Sequence, residues 1–305
     1  MTIQTKSLPE QIAASTTGTI AQQTLSIGKT ATVMGNTSRG IFIKTEPKWV
    51  LFVSYEDYRG PMTVNLKGDI TPLRNLTNGG LVRITPGQIS IPKADLMIST
   101  ADAAVWQPQP PATGAYRAAE CFARMKTFAW DAYQHKKGSG LSGLLPYPLD
   151  MPCESNKTGP VAQDFQKDIL SINISDLPST TENINKILGR GAGLTPSGDD
   201  FLIGLLLTLN RWEDVLRLDS DLGTFNEQIV QSAYNKTTTL GANLIECAAH
   251  GLADERLINA LDYLITGAGK QERILNELLS WGNSSGIDAL VGMVAVMSAG
   301  NTVKQ

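Results

Sequence analysis

The chain has 305 residues, of which 42% are hydrophobic and 18% charged, a composition typical of a globular protein large enough for two domains. Its net charge of −3 and its scattered basic residues provide no electrostatic footprint for nucleic acid, so we expect no nucleic-acid partner. The first seven residues lack the apolar core of a signal peptide, and the apolar runs around 201–209 and 287–299 are too short to span a bilayer, so we expect a cytoplasmic protein with no membrane contact.

The first third of the chain has the pattern of a β domain. Short runs rich in β-branched residues alternate with turn formers, and they lie at 30–34, 40–44, 49–53, 62–66, 80–84 and 88–91. Strands this short and this closely spaced favour an antiparallel sheet or a small β-barrel. We therefore predict a β-rich domain over residues 1–110.

Prolines at 108, 110 and 111 end that pattern, and the rest of the chain is mainly helical. Apolar residues recur at helical spacing from Tyr116 to His135. Further helices are predicted at about 162–172, 181–188, 199–217, 222–235, 238–250, 253–265, 270–281 and 287–299. The glycine- and proline-rich segment 137–160 between them is interpreted as a mobile flap. The predicted fold class is thus α+β, with a helical domain over residues 111–305.

A glycine-rich loop at residues 189–198 opens one of these helices, and its second half is repeated near the C-terminus. Residues 197–204 and 285–292 both read Ser-Gly-x-Asp-x-Leu-x-Gly. Each copy precedes or begins an apolar helical run. The free N–H groups of a helix N-terminus form a physical site for an anion, so the two copies predict a paired anion site.

Two interpretations of this loop remain open. Glycine loses more conformational entropy on folding than other residues, so it destabilises a fold wherever its freedom is not needed. The four glycines at 189, 191, 193 and 198 therefore indicate close approach of a ligand to the backbone. Arg190, Thr195 and Ser197 would add donors to such an oxyanion cradle. Alternatively the loop is purely structural, with the two serines as N-caps and the aspartates three residues later completing capping boxes.

Other motifs are weaker. The loop has no lysine of a P-loop and lacks the third glycine of a dinucleotide fingerprint. Lys236, Thr237 and Thr238 stand at another helix start and are candidate anion ligands. Asp199 or Asp200 could hold Mg²⁺ through water, but we expect no bound metal or cofactor because the chain has two histidines and no clustered ligands. The three widely spaced cysteines at 121, 153 and 247 are expected to be reduced thiols.

The chain resembles the AllH-type family, long described as a domain of unknown function. The resemblance lies in residues 191–204, in the Lys-Thr-Thr-Thr element at 236–239, in Ser-Gly-Ile-Asp at 285–288, and in a β-rich region ahead of a helical half. The namesake of the family is implicated as a subunit of oxamate carbamoyltransferase in the breakdown of allantoin and other ureides, a part of purine catabolism.

The resemblance implies transfer between carbamoyl phosphate and oxamate, with other subunits as partners. Both substrates are anions, so two anion pockets and no redox cofactor are needed. The residues assigned to one anion are Arg190, Gly191, Gly193, Thr195, Ser197 and Gly198, and those assigned to the other are Ser285, Gly286 and Lys236, with Thr237 and Thr238 beside them. Asp200 or Asp288 would orient the loop or take the amide proton.

Two rival functions stay open at this point. A non-catalytic scaffold would use the loops only for close helix packing and would leave no cavity between them. A nucleotide-dependent kinase or ligase would bind ATP at the glycine-rich loop, although the missing lysine disfavours it. Under the transferase interpretation, Arg190→Ala is expected to weaken binding of phosphate strongly.

Overall fold

The computed structural model describes residues 10–67, 73, 76–151, 158–216 and 221–302. The chain divides into two compact units, one ending at Gln107 and the other beginning at Pro108. The division lies within the proline-rich stretch, where proline removes the N–H donors that a sheet would need. Each unit has a hydrophobic core of its own.

The first unit is built from nine strands in its described residues. They are β1 (Glu10–Gly18), β2 (Lys29–Thr37), β3 (Gly40–Thr45), β4 (Val50–Ser54), β5 (Thr63–Leu66), β6 (Leu81–Thr85), β7 (Gln88–Ile91), β8 (Leu96–Ser99) and β9 (Ala104–Trp106), with helix α1 (Thr19–Leu25) between the first two. Alternation sets the strand faces, as in β6, where Val82 and Ile84 are buried and their neighbours exposed.

Eight of these strands close into a ring in the order β5-β4-β3-β2-β6-β7-β8-β1, because β1 pairs with β5 as well as with β8. Strand β9 adds to the far end of β1. Most neighbours are antiparallel, and the parallel pairs are β1–β8, β1–β9 and β4–β5. The predicted α+β class, with a β-barrel or sheet followed by helices, is confirmed.

The second unit is helical. Its helices are α2 (Ala118–His135), α3 (Pro160–Leu170), α4 (Leu177–Ile187), α5 (Ser197–Arg211), α6 (Glu213–Leu216), α7 (Leu222–Lys236), α8 (Thr239–Ala249), α9 (Glu255–Thr266), α10 (Gln271–Leu279) and α11 (Ser285–Thr302). No helix in the described ranges has the length and apolar character that crossing a membrane requires.

Helix α5 lies at the centre of this unit. All but two of its residues are buried, because its sequence is apolar on every side after the first turn. Helix α11 is also apolar on every side, and the two pack directly on each other. These two helices carry the repeated Ser-Gly-x-Asp sequence, so the repeat lies in the core of the unit.

The segment predicted as a mobile flap is packed instead. Leu141, Leu144, Leu145 and Leu149 are each at most 1% exposed and belong to the main core, with a short 3-10 helix at Ser142–Leu144 among them. The prediction of a flap is therefore wrong for this part of the segment, since the leucines outweigh the glycines and prolines in deciding its place. Residues 152–157 of the predicted flap, including Cys153, lie outside the described residues.

Candidate functional site

The two copies of the repeat form one symmetric structure. A Cβ added to Gly204 of α5 would stand 1.8 Å from the carbonyl oxygen of Ala289, and a Cβ added to Gly292 of α11 would stand 2.0 Å from that of Phe201. Gly204 and Gly292 hold the same place in the repeat, and so do Phe201 and Ala289. The backbones thus touch reciprocally, as they would about a two-fold axis.

The same reciprocity holds at the helix N-termini. The hydroxyl of Ser285 lies beside the carboxyl group of Asp200 and lowers its pKa, and the hydroxyl of Ser197 does the same for Asp288. Residues in the first turn of one helix therefore lie beside the first turn of the other. Residues in the second turn of one helix likewise lie beside the second turn of the other. Helices α5 and α11 consequently run side by side in the same direction with their N-termini together.

The predicted capping boxes are absent at α5. Pro196 holds the N-cap position, no side chain caps the helix, and Ser197 is already its first residue. The N–H groups of Asp199 and Asp200 donate to the Pro196 carbonyl at 2.9 and 3.0 Å. The prediction of Ser197 as N-cap is wrong because the helix begins one residue earlier, which frees the serine hydroxyl to reach across to α11.

Asp288 is fully buried and fully partnered. It accepts the main-chain N–H of Leu141 at 2.6 Å and the hydroxyl of Ser284 at 3.0 Å, and the hydroxyl of Ser197 lies beside it. Burial raises its pKa to about 6, although these hydrogen bonds to the carboxylate oppose the shift. Leu141 lies far away in the chain, so no local pattern identified it as a partner of Asp288.

Asp200 occupies the equivalent position on α5 but has an incomplete set of partners. It is 1% exposed, and its Oδ1 has no hydrogen-bond partner among the described residues. Burial raises its pKa well above the ordinary value, the hydroxyls of Ser285 and Thr195 oppose this, and the negative charges of Asp288 and Asp199 add to it. A buried carboxyl group with a free oxygen thus lies under the paired N-termini.

Asp199 holds the loop in place. One carboxylate oxygen accepts the N–H of Gly189 at 2.8 Å, and the other accepts the hydroxyl of Thr237. Asp199 is fully buried, and burial raises its pKa, while both hydrogen bonds lower it. Both of its oxygens therefore already accept hydrogen bonds from the protein, so Asp199 is less suited than Asp200 to bind a ligand.

The glycines of the loop are needed mostly by the chain itself. A Cβ at Gly189 would stand 2.4 Å from the carbonyl oxygen of Lys236, one at Gly191 2.5 Å from the Ser197 nitrogen, and one at Gly198 2.0 Å from the Ile187 carbonyl oxygen. At these three positions the close neighbour is thus protein backbone, and not the ligand that the glycines were expected to admit.

Gly193 differs from the other glycines of the loop. It has a φ of +94° and faces open space, with no atom within 4 Å of an added Cβ. The backbone N–H groups of residues 191–195 make no hydrogen bond to the part of the chain that the structure describes. Residues 191–194 are exposed, and the hydroxyl of Thr195 lies 3.4 Å from that of Ser285. These N–H groups and hydroxyls form a set of available donors above Asp200.

The segment that contains all of these elements except Leu141 can be compared with known proteins. The AllH family model matches residues 187–297. The family is described as oxamate carbamoyltransferase subunit AllH. The resemblance named from the sequence is confirmed over this range, which we call the AllH segment. No solved structure matches the chain.

Two amides of the AllH segment that were assigned to anions have protein partners. The N–H of Gly198 donates to the Arg190 carbonyl, and that of Gly286 donates to the Trp281 carbonyl, both at 3.0 Å. The available donors are instead the loop amides that precede α5. The two-fold arrangement is thus clear in the helices but not in the loops that lead into them.

Arg190 also has protein partners. Its guanidinium donates to Asp168 at 2.6 Å and to Asp164 at 2.9 Å, both on α3, and it lies 4.4 Å from the ring centre of Phe165. These bonds tie the start of the AllH segment to α3. The structure brings Arg190 to the base of the loop, while Thr195 and Ser285 come together at its other end.

The Lys-Thr-Thr element lies behind the loop. Lys236 Nζ donates to Asn185 Oδ1 at 2.8 Å. Thr238 caps α8 by accepting the Gly241 N–H at 2.9 Å, and its hydroxyl donates to the Leu194 carbonyl at 2.5 Å. Together with Thr237, whose hydroxyl donates to Asp199, these residues hold the glycine-rich loop at 189–198 in place. Within the described ranges, no group of three or more His, Cys, Asp or Glu residues is placed to hold a metal ion.

Proposed function

We propose that this chain is a cytoplasmic subunit of a carbamoyltransferase that acts on carbamoyl phosphate and oxamate, or on oxalurate in the reverse direction, in ureide catabolism. The observation that carries the proposal is the AllH match over residues 187–297, which includes both Ser-Gly-x-Asp helix starts and the loop beside them. The family description names a subunit, so we propose that other chains complete the enzyme.

The available donors suit such anionic substrates. The N–H groups of residues 191–195, with the hydroxyls of Thr195 and Ser285, are placed at the N-terminal ends of two helices that run in the same direction. A phosphate or carboxylate bound there would accept several hydrogen bonds without new ordering of the helices. Ser197, whose hydroxyl lies beside Asp288, is proposed to hold the start of α5 in place. Gly191 and Gly193 give the loop the positive φ values that turn these groups together.

Of the two carboxyl groups of the repeat, Asp200 is proposed to exchange a proton with substrate, and Asp288, whose oxygens already have partners, is proposed to orient the start of α5. Asp200 and Asp288 have raised pKa values because both are buried, and a raised pKa brings a carboxyl group nearer to the pH at which it can exchange a proton with substrate. Asp200 is thus proposed to take the amide proton of oxamate. Lys236, Thr237 and Thr238 are proposed to fix the loop from behind.

Calorimetry with the full chain tests the anion site. Inorganic phosphate and carbamoyl phosphate are expected to bind, and Mg-ATP is expected to produce no measurable heat. The double variant Thr195→Ala, Ser285→Ala is expected to weaken phosphate binding about tenfold or more, because two hydroxyl donors to a charged group are lost. Thr127→Ala is the matched control, since Thr127 is exposed on α2 and donates only within its own helix, at 3.1 Å to Ala123.

The proposed anion site at residues 191–195 would be refuted if the full chain bound neither inorganic phosphate nor carbamoyl phosphate. It would also be refuted if the double variant and the wild type bound phosphate with equal affinity. Binding of Mg-ATP with loss in the double variant would instead favour a kinase or ligase. A non-catalytic subunit is favoured if the chain binds no anion yet assembles with its partners.

A further inference from the structure

The repeat allows Asp200 and Asp288 to be compared atom by atom. Each is the fourth residue of its helix, each is at most 1% exposed, and each has beside it the serine that begins the other helix, whose hydroxyl lowers its pKa. Their local scaffolds differ in the residue that precedes each helix, which is Ser284 at α11, donating to Oδ2 of Asp288 at 3.0 Å, and Pro196 at α5. A second difference arises from what the rest of the chain brings to each carboxyl group.

At Asp288 the chain brings an amide N–H. Leu141 donates its main-chain N–H to Oδ1 at 2.6 Å, and this approach depends on Gly140, which has a φ of +50°. A Cβ at Gly140 would stand 2.2 Å from the same carboxylate oxygen, so a larger residue would displace the donor. The α11 half of the repeat is thus closed by a segment of the protein.

At Asp200 no described residue takes the corresponding place. The Oδ1 atom is buried without a donor. The hydroxyls of Ser285 and Thr195 lie on the loop side of the carboxyl group and lower its pKa. An unpaired buried acceptor destabilises the folded protein, so a molecule that supplied a donor here would recover that loss on binding. The donor that the protein supplies to Oδ1 of Asp288 is an amide N–H.

We propose that Oδ1 of Asp200 accepts a hydrogen bond from the amide N–H of the carbamoyl group, in the place that the Leu141 N–H takes at Asp288. This inference rests on the proposed function, and it adds which atom of the protein recognises the nitrogen. The anionic end of the same molecule lies on the loop N–H groups of residues 191–195, next to the hydroxyls of Thr195 and Ser285. Asp288, with its partners already filled, positions Ser197.

The test compares carbamoyl phosphate with acetyl phosphate, which has a methyl group in place of the NH₂ group. The full chain is titrated with each and with inorganic phosphate in a calorimeter. The wild type is expected to bind carbamoyl phosphate at least about tenfold more tightly than acetyl phosphate, since a site that uses an N–H donor rejects an analogue without it. Asp200→Leu is expected to abolish this preference and to retain phosphate binding.

Asp200→Asn serves as the conservative variant and is expected to retain part of the preference, because its side-chain carbonyl can still accept an N–H. Asp221→Asn is the matched control, since Asp221 is an exposed N-cap of α7 and asparagine caps equally well. It is expected to behave as the wild type.

Equal affinity of the wild type for the two acyl phosphates would overturn the inference, and this measurement does not depend on any variant folding. A preference that persists in Asp200→Leu would also overturn it. Binding of Mg²⁺ alone that disappears in Asp200→Asn would assign the oxygen to a cation and refute the amide. If no phosphate compound binds at all, the proposed function fails instead, so the two failures can be told apart.

Discussion

Gly204 of α5 lies against the carbonyl group of Ala289 on α11, so closely that an added Cβ would stand 1.8 Å from the oxygen. No side chain of any size separates the two helices at this point. The contact fixes the distance between their N-termini, and with it the relation between Asp200 and the serine that reaches it from α11. The glycine at the end of the motif is therefore as necessary to the site as the serine at its beginning.

Gly204→Ala is expected to lower the free energy of unfolding by about 3 kcal/mol or more, because backbone must move to admit the methyl group. Urea unfolding of the full chain measures this. The control is Gly223→Ala, on α7, where the nearest atom would be Asp221 Oδ1 at an ordinary 3.4 Å. That change is expected to stabilise by about 0.5–1 kcal/mol, since alanine is the better helix former. Equal effects of the two substitutions would contradict the close crossing.

The titration of Asp288 is expected to appear in the pH dependence of stability. Its folded pKa of about 6 lies above the ordinary 3.8, so the folded state binds the proton more tightly than the unfolded state does. The free energy of unfolding should then fall as pH rises from about 4 to 6, by on the order of 3 kcal/mol from this group. Asp200 contributes in the same direction.

Asp288→Asn removes this contribution while its side chain can still accept the Leu141 N–H. Unfolding in urea at a series of pH values from 4 to 7.5 should show a shallower slope in the variant. Parallel slopes for variant and wild type would show that the group does not titrate in this window.

Thr237→Val is expected to destabilise the chain by about 2 kcal/mol, because the buried carboxylate of Asp199 loses a hydroxyl donor that valine cannot replace. Thr239→Val is the matched control, two residues later and with a half-buried side chain of the same shape. The difference between the two melting temperatures isolates the hydrogen bond. A similar loss in both would attribute the effect to valine at the start of α8.

Substitution of Arg190 and of its partner Asp168 tests whether the guanidinium contacts the anion or only holds the loop in place. The guanidinium is held by Asp164 and Asp168, so Arg190→Ala and Asp168→Asn are each expected to cost about 1 kcal/mol of stability and to change phosphate affinity less than twofold. If Arg190 contacts the anion itself, the two substitutions should act in opposite directions. Arg190→Ala would then weaken phosphate binding, while Asp168→Asn would strengthen it by releasing the guanidinium.

The elements that the sequence revealed are those with strong local patterns. The helix from Ala118 and the apolar α5 and α11 follow from spacing alone, and the strand runs from residue 30 onward follow from β-branched residues between turns. Strand β1 was not distinguished, because Glu10–Gly18 is rich in alanine, threonine and serine and gains its place only by pairing with strands far along the chain.

The position of the candidate site was predicted from the repeat, and its anion-binding residues stay a prediction. The repeat identified the two helix starts, but the direction of side chains across them could not be read from spacing. Asp288 depends on Leu141, and Asp199 on Thr237, and both partners are distant in sequence. Arg190 was assigned to an anion because a guanidinium in a glycine-rich loop suits one, whereas the carboxylates that hold it lie on α3 and carry no local signal.

The common direction of α5 and α11 has an electrostatic consequence. Each helix carries a partial positive charge at its N-terminus, and two such ends side by side repel each other. The carboxyl groups of Asp199, Asp200 and Asp288 lie at this end and supply the countercharge when ionised. When they take up protons the countercharge is lost, and a bound dianion can replace it. Protonation of these carboxyl groups and binding of an anion above them are therefore linked, and each is expected to strengthen the other.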